Sequence, residues 1–199
     1  MEESLPLILA SASPRRRDLL ARAGLRFEVR PADLLEQAQP GETPAEQAGR
    51  LAREKALTVA RQVGGPPRRV VLGADTIVVI DGEALGKPED PEHAVALLGR
   101  LVGRRHHVVT AVAIAASDTL EVRHTAVESG VLMRPATEQE LRDYVATGES
   151  LDKAGAYAAQ GEGRRFIERI EGSESNVIGL PMEETLDLLR RASAGGETR

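Results

Sequence analysis

The sequence contains no cysteine and no tryptophan, and only two tyrosines and two phenylalanines among 199 residues. The absence of cysteine excludes disulfides and thiolate metal sites. The scarcity of aromatics leaves a core of Leu, Val, Ile and Ala, and removes the exposed rings on which single-stranded nucleic acids stack. A formal charge of −5 argues against a surface that grips a nucleic-acid polymer. Any anion bound is therefore expected to be small and held by a local cluster of Lys and Arg. After the acidic start Met1-Glu2-Glu3-Ser4 the apolar stretch lasts only a few residues, which is neither a signal peptide nor a membrane span. A cytoplasmic location is the expectation. Neither G-x-x-x-x-G-K-[ST] nor G-x-G-x-x-G occurs, so P-loop and Rossmann readings have no support. His106 and His107 have no matching ligands elsewhere and read as structural.

What is present is a soluble globular composition, with 41% apolar and 29% charged residues. One domain over residues 1–191 is expected, followed by a frayed tail at 192–199. Leu5 to Ala10 reads as a buried strand. Ser13 then stands as a helix N-cap with Pro14 at the first helical position, and Gly24 closes that helix. Phe27 to Arg30 is a second strand. Thr43-Pro44-Ala45-Glu46 is a capping box that opens a helix to Gly64. Arg69 to Ile80 reads as a strand leading into a hairpin turn at Asp81-Gly82. A helix follows from Asp90-Pro91, then antiparallel strands over His107–Ala116 and Leu120–Met133. Thr137 and Glu140 repeat the capping box, Arg165–Ile170 is a late strand, and Pro181 begins a last helix through Leu189. Strands and helices intermix, so the expected class is α/β, a mixed twisted sheet flanked by helices.

Four segments carry candidate chemistry. At Ser11-Ala12-Ser13-Pro14-Arg15-Arg16 a strand meets a helix start, whose unpaired N–H groups and partial positive charge suit an anion. Ser11 and Ser13 add hydroxyl donors, and Arg15 and Arg16 can add bidentate contacts to phosphate. A good cap alone would explain Ser13 and Pro14 but not two adjacent arginines. In Val70–Ile80, Asp75 interrupts a run that otherwise wants burial on both faces, so it needs a cation, a metal or several donors. Gly73 in the same strand suggests a bulge or a close backbone approach to a ligand. Lys55 falls on the apolar stripe of its helix, although a lysine stem can also snorkel outward. Lys87 lies in the loop Leu85-Gly86-Lys87-Pro88. Asp152 to Gly161 is rich in small residues and either lines a pocket, with Tyr157 and Gln160 offering hydrogen bonds to a base, or is an ordinary connection.

Together these segments resemble the Maf family of nucleoside triphosphate pyrophosphatases. The matching pieces stand in family order: Leu9 to Arg16, Lys55-Ala56, Gly73-Ala74-Asp75-Thr76, Leu85 to Pro88, Asp152 to Tyr157 with Gln160-Gly161, and Asn176 to Pro181. The resemblance implies hydrolysis between the α- and β-phosphates of a nucleoside triphosphate, assisted by a divalent metal such as Mg²⁺ or Mn²⁺. The pieces are similar to the branch that prefers dTTP and UTP. On that likeness Arg15, Thr76 and Gln160 set base preference, while Arg15, Arg16, Lys55 and Lys87 gather around the triphosphate. Asp75 is the proton acceptor and, with Glu36, a metal ligand; Asp33 offers a second acid in the same stretch as Glu36. A homodimer is the associated expectation, without nucleic acid or membrane as a partner. The rival reading is a non-catalytic nucleotide-binding regulator of cell division or septum formation.

Overall fold

The structure, a computed structural model, describes residues 7–194. The chain runs β1 (Leu7–Leu9), α1 (Pro14–Arg22), β2 (Phe27–Val29), α2 (Pro44–Val63), β3 (Val70–Ile80) and β4 (Glu83–Leu85). It continues with α3 (Pro91–Leu101), β5 (Arg105–Ala116), β6 (Val122–Met133), α4 (Glu138–Ala146), β7 (Ile167–Glu171), α5 (Glu174–Ile178) and α6 (Met182–Ala194). The seven strands form one sheet in the order β2-β1-β3-β5-β6-β7, with β4 paired to β3. β1 lies parallel to both β2 and β3, whereas the β3–β4 and β6–β7 pairs are antiparallel. The sheet is therefore mixed and flanked by helices, the expected α/β class. Among the described residues no helix is long and apolar enough to cross a membrane.

The packing divides the chain into two compact units. The first comprises the described residues within 1–75, 110–127 and 179–199. Its core joins Leu7, Leu9, Leu20, Leu72, Val112 and Leu180. Helix α2 starts as the sequence predicts: the Glu46 amide donates to Thr43 Oγ1 at 3.3 Å, and the Thr43 amide donates to Glu46 Oε2 at 2.9 Å. Ala48, Leu51, Ala52, Ala56 and Val59 form its buried stripe, in which Lys55 is also buried. The alanines let the helix approach β3 very closely. A Cβ placed on Gly73 would lie 2.3 Å from the Ala52 carbonyl oxygen and 2.7 Å from the Ala56 amide nitrogen. Gly73 is thus required by the backbone of a helix, and the ligand approach or bulge expected there does not account for it. Gly73→Ala should destabilise the protein by about 1–3 kcal/mol, because the atoms it meets are main chain and cannot rotate aside. A thermal melt with an unchanged Tm would refute this account.

The second unit comprises residues 76–109 and 128–178. Helix α4 repeats the capping box, with Thr137 Oγ1 accepting from the Glu140 amide and Glu140 Oε2 from the Thr137 amide. Arg134 and these Thr137 donors hold the half-buried Glu140 carboxyl down at about 2. The small-residue stretch after α4 is more ordered than its composition suggests. It forms 3₁₀ turns at Ala154–Ala156 and Gly161–Phe166, and Ala156, Tyr157, Ala158 and Ala159 are buried. The Tyr157 hydroxyl points to His106, 2.8 Å from Nε2, and not toward a base as the sequence suggested. The two rings meet edge to face at 5.4 Å.

His106 is fully buried, and among the described residues its Nδ1 has no hydrogen-bond partner. Burial, with His107 nearby, lowers its pKa from 6.5 to about 4. A group whose folded pKa is depressed in this way is protonated first in the unfolded chain. Stability is therefore lost as pH falls from about 6.5 to about 4, by about 3 kcal/mol in all. The fall in Tm between pH 7 and 4.5 should be shallower for His106→Asn; identical slopes would exclude His106 as the cause.

Among the boundaries that differ from the sequence reading are two near the end of the chain. β7 begins at Ile167, because residues through Phe166 are committed to the preceding 3₁₀ turn. Helix α6 continues to Ala194, three residues into the stretch expected to fray, and Ala192 packs into the first unit's core. Leu5 and Pro6 of the expected first strand, and residues 195–199 of the expected tail, lie outside the described residues.

Candidate active site

Within the first unit, four elements bring charged side chains to one place. Period-two alternation puts Gly73 and Asp75 on the same face of β3, the face that α2 covers. Helical spacing puts Lys55 on the stripe of Ala52, Ala56 and Val59. The close approach that Gly73 permits thus delivers Lys55 to Asp75: Nζ donates to Asp75 Oδ1 at 2.7 Å. The same ammonium lies 2.5 Å from Glu36 Oε1, which comes from the irregular stretch between β2 and α2. Lys55 and Asp75 are buried; the Glu36 side chain is 40% exposed, so the pair opens to solvent through Glu36.

Arg16 completes the cluster from α1. It is buried, with Nε donating to the Gly179 carbonyl at 2.8 Å and Nη1 to Ser11 Oγ at 3.0 Å. Ser11 Oγ also accepts from the Ser13 amide at 3.2 Å. Ser13 has extended N-cap geometry, but its side chain makes no capping hydrogen bond, so Pro14 and the backbone start this helix. Arg15 is half-buried and makes no hydrogen bond or salt bridge with any described residue. The first turn of α1 contains no acidic residue to offset its unpaired N–H groups.

The electrostatics follow from this burial. Desolvation raises the Asp75 pKa and Glu36 raises it further, while the Lys55 ammonium and Arg16 pull it down; burial prevails. Desolvation also lowers the Arg16 pKa, against the attraction of Asp75. Two carboxylates from different elements thus converge on one cationic head. Among the described residues no third acid or histidine joins them in a metal-binding group. A hard divalent cation such as Mg²⁺ needs only one or two protein carboxylates when phosphate oxygens and water fill its remaining positions. The donor set fits such an ion.

The other predicted residues belong to the second unit. Thr76 follows Asp75 on β3 and is half-buried, its side chain on the opposite face by strand alternation. Lys87 is exposed on the loop after β4. That loop meets the small-residue segment, since the Gly155 amide donates to the Gly86 carbonyl at 3.0 Å. Gly155 has φ +67°, and a Cβ there would lie 3.0 Å from Val78 Cγ1. Gln160 is half-buried at the start of the second 3₁₀ turn and does not cap it with its side chain. The capping falls to Glu149, whose Oε1 accepts from the Glu162 amide at 3.2 Å and Oε2 from the Gly163 amide at 2.9 Å. Sequence reasoning missed Glu149 because its partners are main-chain groups thirteen and fourteen residues away. It missed the Gly179 carbonyl for the same reason, although Asn176 to Pro181 stood out as a motif.

An α/β sheet that presents two carboxylates closed on a lysine, beside an arginine-bearing helix start, is an arrangement able to take a small polyanion together with a hard cation. The chain belongs to the family of Maf-like proteins, whose family model matches residues 6–192. It is 47% identical over 194 residues to a dTTP/UTP pyrophosphatase of Geotalea uraniireducens (strain Rf4), covering 98% of both chains. It is 50% identical over 188 residues to a dTTP/UTP pyrophosphatase of Anaeromyxobacter dehalogenans (strain 2CP-1 / ATCC BAA-258), covering 94% of this chain and 93% of that one. The Staphylococcus aureus Ham1 protein shares the fold at 14% identity, with a TM-score of 0.50 over 96% of this chain and 100% of that one.

Proposed function

We propose that the protein hydrolyses nucleoside triphosphates, dTTP and UTP in preference, to the monophosphate and pyrophosphate. The convergence of Glu36 and Asp75 on Lys55, next to Arg16 and Arg15, carries this reading. Binding a triphosphate alone would not call for two carboxylates facing an anionic ligand. The near full-length relatives named dTTP/UTP pyrophosphatase support the choice of base. Water attacks the α-phosphorus, an O–P bond forms, and the bond from that phosphorus to the bridging oxygen breaks. Pyrophosphate leaves with that oxygen. Asp75 accepts the proton of the attacking water, a role that its raised pKa suits better than that of a solvated aspartate. Lys55 holds both carboxylates in register, and its charge, with those of Arg15 and Arg16, offsets the growing negative charge on the leaving group. Glu36 and Asp75 would hold the metal, Mg²⁺ or Mn²⁺, whose chemistry there is to neutralise phosphate oxygens and to acidify water.

Lys87 is assigned to the triphosphate, and Thr76 and Gln160 to the base. Their support is the resemblance of their motifs and the ordered loop that carries Gln160. The test is pyrophosphate release from a panel of nucleoside triphosphates with Mg²⁺ or Mn²⁺, including 5-methyl and pseudouridine forms. Release confined to dTTP and UTP supports the narrow reading, and release from the modified pyrimidines widens it. Nucleotide binding without release would overturn the enzyme reading in favour of a regulator.

A further inference from the structure

Residues 30–43 join β2 to α2 without regular structure apart from a turn at 40–41, and this stretch carries Glu36. An acid on such a segment is only as well placed as the chain around it. Helix α2 grips the segment beside Glu36 through Arg50, five residues before Lys55. Arg50 Nε donates to Glu42 Oε1 and Nη2 to Glu42 Oε2, both at 2.8 Å, a bidentate fork. Nη2 also donates to the Gln37 carbonyl at 2.8 Å, and Nη1 to Glu54 Oε2 at 3.2 Å. The Arg50 and Glu42 side chains are only 14% and 10% exposed, so solvent competes weakly for them. Glu42 holds the Arg50 pKa above its ordinary value. The Glu42 carboxylate is fixed in turn by the Gln39 amide at 3.1 Å.

Gln37 is the residue after Glu36. The guanidinium therefore grips the peptide next to the acid, while Lys55 of the same helix meets that acid's side chain. We propose that Arg50 is a positioning residue for Glu36: it locks the 30–43 segment onto α2 so that Glu36 and Asp75 address the same cation. The proposal rests on the reading of Glu36 as a metal ligand. Arg50 never touches the substrate or the metal. Lysine cannot replace it, because a point charge cannot hold both Glu42 oxygens and the Gln37 carbonyl in one plane.

The decisive variant is Arg50→Lys, which keeps the charge and removes the fork. Two readouts are taken: Mn²⁺ binding to the nucleotide-free protein, followed by electron paramagnetic resonance, and kcat and KM for dTTP. Loss of a supporting contact of this kind weakens metal binding or turnover by about 10–100-fold. Arg50→Lys should show that loss in Mn²⁺ affinity and kcat, with KM for dTTP unchanged. In a Glu36→Gln background the same substitution should change neither quantity, because the acid it positions is already gone. Wild-type Mn²⁺ affinity in Arg50→Lys, or an equal loss with and without Glu36, overturns the proposal. If Arg50→Lys does not fold, Glu42→Gln breaks the same fork from the other side and faces the same two criteria. The Mn²⁺ titration decides the role of Arg50 even if the wild type releases no pyrophosphate, an outcome that would refute only the proposed activity.

Discussion

Asp75→Asn should lower pyrophosphate release from dTTP by about 10²–10⁴-fold, the range over which a positioned acid–base group contributes. The fold should survive this change. Asparagine has the same shape and keeps an oxygen that can accept from Lys55 Nζ, now at 2.7 Å from Oδ1. Lys55 also retains Glu36 at 2.5 Å, so its ammonium is not left alone. The substitution removes a buried charge whose pKa is raised mainly by desolvation, which offsets part of the lost ion pair. Turnover and a thermal melt of the same preparation check both halves. Wild-type turnover in Asp75→Asn would sink the catalytic assignment. A collapse of Tm would mark Asp75 as a structural acid instead.

Lys55→Met is expected to have the second largest effect, and to act first on stability. Methionine replaces the stem but not the ammonium, so buried Asp75 is left facing Glu36 across the position of the lost charge. Removing one partner of a buried ion pair costs about 3–5 kcal/mol. The partial exposure of Glu36 puts this case at the lower end, about 3 kcal/mol, because solvent screens it. Without the ammonium, burial raises the folded-state Asp75 pKa further above that of the unfolded chain. The extra cost then appears as pH rises through the carboxylate range and persists above the folded pKa. The Tm gap between Lys55→Met and the wild type should therefore narrow toward acid pH. Mg²⁺ or Mn²⁺ should also raise the Tm of the variant, since an ion bound only by the folded state stabilises it. A variant with wild-type Tm that ignores both pH and metal would show that the three side chains do not act as one cluster.

Much of the scaffold is local in origin and was legible in the residues. Thr43 with Glu46, and Thr137 with Glu140, are capping boxes whose partners lie three residues apart, so sequence alone specifies them. The run from Val70 to Ile80, apolar except at Asp75 and Thr76, reads as a strand buried on both faces, and it is one. The contacts that were not legible join main-chain atoms to distant side chains. Glu149 caps amides thirteen and fourteen residues away, and Arg16 finds the carbonyl of Gly179 across 163 positions. Backbone donors and acceptors are the same at every residue, so no side-chain pattern announces which of them will be used. Tyr157 failed for a related reason: its hydroxyl suits a base or a buried histidine equally well, and only packing chose His106.

The sequence by itself determined that Lys55 lies on the buried stripe of a helix and that Asp75 interrupts a buried strand. Burying either charge alone is costly, so each demanded a partner. Only the tertiary structure decided that the two are each other's partner, that Glu36 joins them, and that Arg50 holds the segment bearing Glu36. The physical reason is the missing side chain at Gly73. Helix and strand can meet at main-chain distance there, and the register of that single contact sets where every charge on α2 arrives.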